Sequence, residues 1–193
     1  MAKIKSIGII AEDKSDVEAS KHLIKRIIKK DNMPFKHFVG DGCGKIRRKA
    51  LDWSNALHTR GCDLLILIHD LDRNELIKLQ NDLDNTLRTT KIANRIVCIP
   101  TEEMEAWFLS DPEGLKDAMS LKKTPKISNN PESIPSPKER LEEIVYINSN
   151  KERNYLNTKH NSTLAKSLSI DLMKTKCPSF NKLYQYLVAL NYK

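Results

Sequence analysis

The sequence predicts an α/β fold: a mainly parallel, four-stranded sheet flanked by helices, continued by a mostly helical C-terminal stretch. Two observations carry this. Short apolar runs alternate with longer amphipathic ones through the first half of the chain, the pattern of a doubly wound parallel sheet. One of those runs, residues 63–69, is apolar almost without interruption, as a strand covered on both faces must be.

Taken in order, residues 4–11 (IKSIGIIA) are rich in β-branched side chains and read as a first strand. Residues 15–30 follow with Val17, Leu23, Ile24, Ile27 and Ile28 at helical spacing, and Ser15 stands where an N-cap is expected. Residues 34–39 form a second strand, ended by the glycine-rich segment 40–44. Residues 45–59 are helical, with Ile46, Leu51, Trp53 and Leu57 apolar. A helix over 75–87 and a fourth strand over 95–99, stopped by Pro100, complete the alternation.

Beyond Trp107 the texture changes. Residues 122–137 carry four prolines and read as a loop, and residues 137–145, 162–173 and 180–190 are helical. The expected division is an α/β core over 1–112 and a basic helical extension over 113–193 packed on it. Trp53 and Trp107 sit at core spacing and read as packing residues.

Composition narrows the function. The chain has 193 residues and a net charge of +8. That surplus is uneven, +2 over residues 1–112 and +6 over 113–193. A cationic field favours polyanions, so nucleic acid is the first partner to consider. No apolar run approaches the roughly 20 residues of a membrane span, and residues 1–5 lead into the first strand without a signal-peptide pattern. No membrane association and a cytoplasmic location are therefore expected. The four cysteines are dispersed and form no CxxC pair, which argues against a zinc ribbon or a dithiol motif. Cys62 and Cys98 border apolar stretches and read as small buried hydrophobes.

Against this basic background, three strand ends are acidic. The first ends in Glu12-Asp13-Lys14-Ser15-Asp16, the third in His69-Asp70-Leu71-Asp72, the fourth in Thr101-Glu102-Glu103-Met104-Glu105. Parallel sheets bind ligands at the carboxyl ends of their strands. Crowded carboxylates repel one another unless a cation joins them, and oxygen-only clusters suit Mg²⁺ or Mn²⁺. If the third strand continues, alternation puts Asp70 and Asp72 on one face and turns His69 away. Lys45, Arg47, Arg48 and Lys49 form the densest basic cluster of the first half and are candidates for contact with nucleic-acid phosphates. The glycine segment before them lacks the GxxxxGK[ST] spacing of a P-loop.

A strand ending in Glu12, an acid at Asp16, and a buried strand ending in the Asp70–Asp72 DxD pair resemble the TOPRIM domain of type IA topoisomerases, bacterial primases and OLD-type nucleases. The segment PTEEMEAWFLSD (100–111) and the later Tyr155 and Lys159 resemble small stand-alone bacterial proteins of that kind. The resemblance implies Glu12, Asp16, Asp70, Asp72 and Glu105 as metal-holding residues. It implies a catalytic role for Glu12, Asp70, Asp72 and Lys159, with the Lys159 ammonium facing the scissile phosphate. It further implies a Mg²⁺- or Mn²⁺-dependent nuclease or related phosphodiester-processing enzyme, with DNA ahead of RNA as substrate and a setting such as phage defence. The other expectation it allows is a non-catalytic or partner-dependent regulatory module, working with a protein such as an ATPase. One position departs: Asp13 stands where that family commonly has Gly, which points to a differently shaped loop. A phosphorylation receiver also clusters acids at two strand ends, with Asp70 as acceptor and Thr101 as switch hydroxyl, but Asp72 would crowd the acceptor.

Overall fold

The computed structural model describes residues 3–193; residues 1–2, and so the start of the N-terminal reading, lie outside the described residues. Four strands, β1 (Ile7–Ala11), β2 (Phe35–Val39), β3 (Leu64–Ile68) and β4 (Asn94–Cys98), form one all-parallel sheet in the order β2-β1-β3-β4. The helices between them are α1 (Lys14–Ile28), α2 (Cys43–Thr59) and α3 (Leu76–Thr86). Parallel neighbours require such crossovers, and the helices cover both faces of the sheet.

The pleat sorts the strand residues between two cores. Ile7, Ile9, Ala11, Leu64, Ile66, Ile68 and Cys98 face the larger core, with α1 and the C-terminal helices. Ile10, Leu65, Leu67 and Val97 face the smaller one, with α2 and α3. All five residues of β3 are buried, as its unbroken apolar run requires. Gly8 lies against Leu57 of α2, so closely that a Cβ there would come within 2.9 Å of Leu57 Cδ1.

The first strand is shorter than expected. Lys5 donates its backbone N–H to Asp63 (2.8 Å) and Ile4 pairs instead with Tyr192, so regular pairing begins at Ile7. The cap of α1 is Asp13 rather than Ser15: Asp13 Oδ1 accepts from the backbone of Ser15 (2.6 Å) and Asp16 (3.1 Å), and the Ser15 hydroxyl donates to it as well. Asp13 has an ordinary extended backbone (φ −130°). Its turn therefore needs no glycine, which explains in structural terms how an acid occupies that position.

After β4 come α4 (Glu105–Phe108), α5 (Pro112–Met119), α6 (Pro137–Asn148), α7 (Asn157–Ser167), α8 (Ile170–Lys176) and α9 (Pro178–Val188). The stretch between α5 and α6 is irregular apart from one 3-10 turn at Pro131–Ser133. The helix expected over 162–173 is two helices. Ser169 caps α8 through Leu172 N–H (3.2 Å), and its own N–H is held by Asp111 Oδ2 (2.8 Å), 58 residues earlier. Residues after 112 share the larger core with the sheet: Phe180 and Trp107 meet edge to face at 5.1 Å, and Tyr155, Leu164 and Leu183 are buried in the same cluster. Arg26 of α1 fastens the end of α7, donating to the carbonyls of Ala165 and Leu168 at 2.7 Å each. Cys62, Cys98 and Cys177 are buried free thiols. No described helix is long and apolar enough to cross a membrane.

Candidate functional site

The carboxyl ends of β1 and β3 lie side by side, since the two strands pair in parallel from Ile7 opposite Leu64 to Ile10 opposite Leu67. Glu12 leaves β1 at that end. Asp16, one helical turn on, is 8% exposed and accepts the Asp13 N–H at 3.4 Å. Asp70 follows β3 by two residues. The pairing of this segment with β4 outlasts the strand: His69 N–H donates to Cys98 O (3.1 Å) and Leu71 N–H to Pro100 O (3.0 Å). Alternation therefore holds as far as Leu71 and directs Asp70 to the α1 side.

It ends at Asp72, which takes a left-handed conformation (φ 48°) and donates its N–H to Glu102 O (3.1 Å). The expectation that strand alternation aligns Asp72 with Asp70 is corrected here: a turn, not the pleat, places Asp72. Glu102 is itself left-handed (φ 59°), as is Asp41 after β2 (φ 49°). Non-glycine residues in this region carry backbone strain, and three of them at three strand ends mark this edge of the sheet.

Glu105 opens α4 and is 4% exposed. Its Oε1 accepts from the Tyr155 hydroxyl (2.8 Å) and from Asn161 Nδ2 (3.3 Å), and the Tyr155 hydroxyl also meets Asn161 Oδ1. Burial, with Glu105 next, pushes the Tyr155 phenol well up, so Tyr155 stays a donor. A third residue of the same segment, Asn157, reaches Asp13 Oδ2 at 3.3 Å. The sequence points to neither asparagine; their only signal is a four-residue spacing that puts both on one side of a helix.

The electrostatics gather these acids into one group. Asp16 is pushed up to about 8, first by burial, then by Asp13 and Glu105, with Glu12 contributing, while the backbone N–H of Asp13 draws it down. Asp70 is raised well above the carboxylate range by burial, then by Asp16, Glu105, Glu12 and Asp72. Of the five residues implied as metal-holding, the other four thus all act on Asp70. Asp70 receives no side-chain hydrogen bond from the described residues, whereas Glu105 and Asp16 do. At the same time, no three His, Cys, Asp or Glu side chains among the described residues stand close enough to share one ion as they are.

Neighbouring acids have local duties instead. Glu103 accepts from Lys138 N–H (2.9 Å) at the start of α6, Asp111 caps α5 through Gly114 N–H (3.0 Å), and Glu132 holds Ser179 N–H (3.1 Å) at the start of α9. His69 is fully buried; its Nδ1 bonds the Asp70 carbonyl (2.7 Å) and Nε2 has no partner among the described residues. A carbonyl only accepts, so Nδ1 carries the hydrogen and His69 fixes the Asp70 backbone.

The basic residues fall in two places. Lys45, Arg47, Arg48 and Lys49 are exposed on the first turns of α2. Lys45 pairs with Asp41 (3.0 Å), Lys49 with Asp52 (3.5 Å), and Arg47 donates to Asn74 Oδ1 (2.9 Å) in the loop carrying Asp72. Beside that loop lies an open cleft of about 450 Å³, lined by Asp72, Arg73, Asn74, Glu102, Glu103 and Glu139 among others. Lys159 of α7 lines a different cleft with Arg153 and His160.

No curated protein and no solved structure matches this chain. A family model does, over residues 11–188, which run from the end of β1 to the end of α9 and take in the whole carboxylate group. The chain belongs to the family described as a domain of unknown function, DUF4276.

Proposed function

We propose that this protein is a divalent-metal-dependent nuclease or related phosphodiester-processing enzyme built on a TOPRIM-like sheet. The observation that carries this is the crowding of Glu12, Asp16, Asp70, Asp72 and Glu105 at adjoining strand ends, where burial first and neighbouring carboxylates next raise the pKa of Asp16 and Asp70 in a chain of net charge +8. A protein that gathers like charges where they oppose ionisation gains from a cation that joins them.

The donor set fits Mg²⁺ or Mn²⁺ in kind, since it is all oxygen. It is not preassembled, so rotation of the half-buried Glu12, Asp70 and Asp72 side chains would complete it. When bound, a pair of such ions would activate a water and neutralise the leaving oxygen of a phosphodiester. The chain's own residues do the positioning. Tyr155 and Asn161 hold Glu105, Asp13 and α1 hold Asp16, and His69 fixes the backbone of Asp70. The exposed cations of α2 lie beside the Asp72 loop, on a path for the substrate backbone.

The test incubates the purified chain with labelled single- and double-stranded DNA and RNA, in Mg²⁺ or Mn²⁺ and in EDTA. Cleavage that needs the metal and is lost in Asp70→Asn is expected. Bound Mn²⁺ without cleavage of any substrate would overturn the enzymatic reading and favour a partner-dependent module.

A further inference from the structure

The cleft that holds Lys159 is cationic and shares no lining residue with the one beside Asp72. It measures about 350 Å³ and lies between the end of α5 and the start of α7, with Arg153, Asn154, Lys159 and His160 as polar lining and Met119 and Leu156 as apolar lining. Neither Arg153 nor Lys159 forms an ion pair with a described residue. The adjacent acid, Glu152, is turned to Lys122 at 3.7 Å. His160 Nδ1 accepts the Leu156 N–H (2.9 Å), so the neutral ring carries its hydrogen on Nε2. Burial foremost, with Lys159 and Arg153 adding to it, holds His160 below its ordinary value and keeps that ring neutral at pH 7. Two unpaired cations, an imidazole donor and an amide thus converge where the positive end of an eleven-residue helix emerges.

We infer that this cleft binds a backbone phosphate of a nucleic-acid strand, flanking the phosphate that reacts at the carboxylates. The inference rests on the nuclease reading and adds to it the track of the substrate. Helix α7 links the two places. Asn157 and Asn161 face the acids and hold Asp13 and Glu105, while Lys159, two residues from Asn157, lies about opposite on the helix. A strand passing over the start of α7 meets the cationic cleft on one side and the carboxylates on the other. The acidic group repels a bare polyanion, so a nearby seat for a flanking phosphate is what such a centre requires. A second lysine-rich cleft, with Lys5, Lys29, Lys30 and Lys193, lies beside the amino-terminal ends of the strands and has no such link.

The experiment measures fluorescence anisotropy of a labelled single-stranded oligodeoxynucleotide on the full chain in EDTA, from 0.05 to 0.2 M salt, so that neither metal nor cleavage enters. The double variant Arg153→Gln/Lys159→Gln is compared with Lys30→Gln/Lys193→Gln, which removes the same charge from the other cleft. All four side chains are exposed, and circular dichroism verifies that both variants fold. Losing the seat of one phosphate reduces affinity roughly 5-fold at 0.1 M salt and the salt slope by about 0.7, and this is expected for the first variant alone. Equal losses in both variants, no loss in the first, or no binding by the wild type would each overturn the proposal. Failure of metal binding at Asp70 leaves this assay unchanged, so the two readings fail separately.

Discussion

Replacing Asp16 with Asn should stabilise the protein, and by an amount that grows with pH. In the fold the Asp16 carboxyl titrates at about 8 against an ordinary 3.8. Between those values the folded chain holds a proton that the unfolded chain has released, so stability falls as pH rises through that window. At about 1.4 kcal/mol per pH unit above 3.8, the cost at pH 7 reaches about 4 kcal/mol. Asn has no charge to desolvate and keeps an oxygen for the Asp13 N–H, so Asp16→Asn should recover about 2–4 kcal/mol at pH 7 and almost nothing at pH 4. Urea denaturation in EDTA from pH 4 to 8 measures this directly. Curves for wild type and variant that stay parallel across the range would refute the claim that these acids are crowded at a cost to the fold.

Further outcomes follow from the same contacts. Asp70→Asn should abolish Mn²⁺ binding in calorimetry while the protein stays folded, because it removes the carboxylate that all the others act upon. Tyr155→Phe takes a donor from buried Glu105 and should cost about 1–3 kcal/mol in denaturant unfolding. Arg26→Gln breaks both bonds to the end of α7 and should cost about 1–3 kcal/mol, with faster amide exchange over residues 157–167. Gly8→Ala drives a methyl against Leu57 and should lower the thermal midpoint, corresponding to about 1–3 kcal/mol.

The sheet was legible in the sequence because β1 and β3 are short apolar runs whose burial on both faces leaves them no other home, while the partly exposed β2 and β4 were marked by their place between helical stretches and by the stops at Gly40 and Pro100. The acidic strand ends were legible for the same reason: parallel topology fixes which end of each strand faces the ligand side. What escaped depended on contacts between distant residues. The break at Ser169 is enforced by Asp111, and Glu105 is held by Tyr155 and Asn161, 50 and 56 residues later. The helix Pro112–Met119 did carry a local signal, an N-cap aspartate followed by proline, overshadowed by the fading of the strand–helix alternation. Asp13 displaced Ser15 as cap because its carboxylate reaches two N–H groups at once.

The fastening of Glu105 by residues from α7 and its lead-in has a consequence for how this family can be engineered. A graft that transplanted only the sheet and its three crossover helices would leave the fourth strand's acid without its supports and expose the larger core. Exchange between relatives should therefore succeed only where the late helical segment travels with its own sheet, and chimaeras joined near position 112 should not recover the stability of either parent.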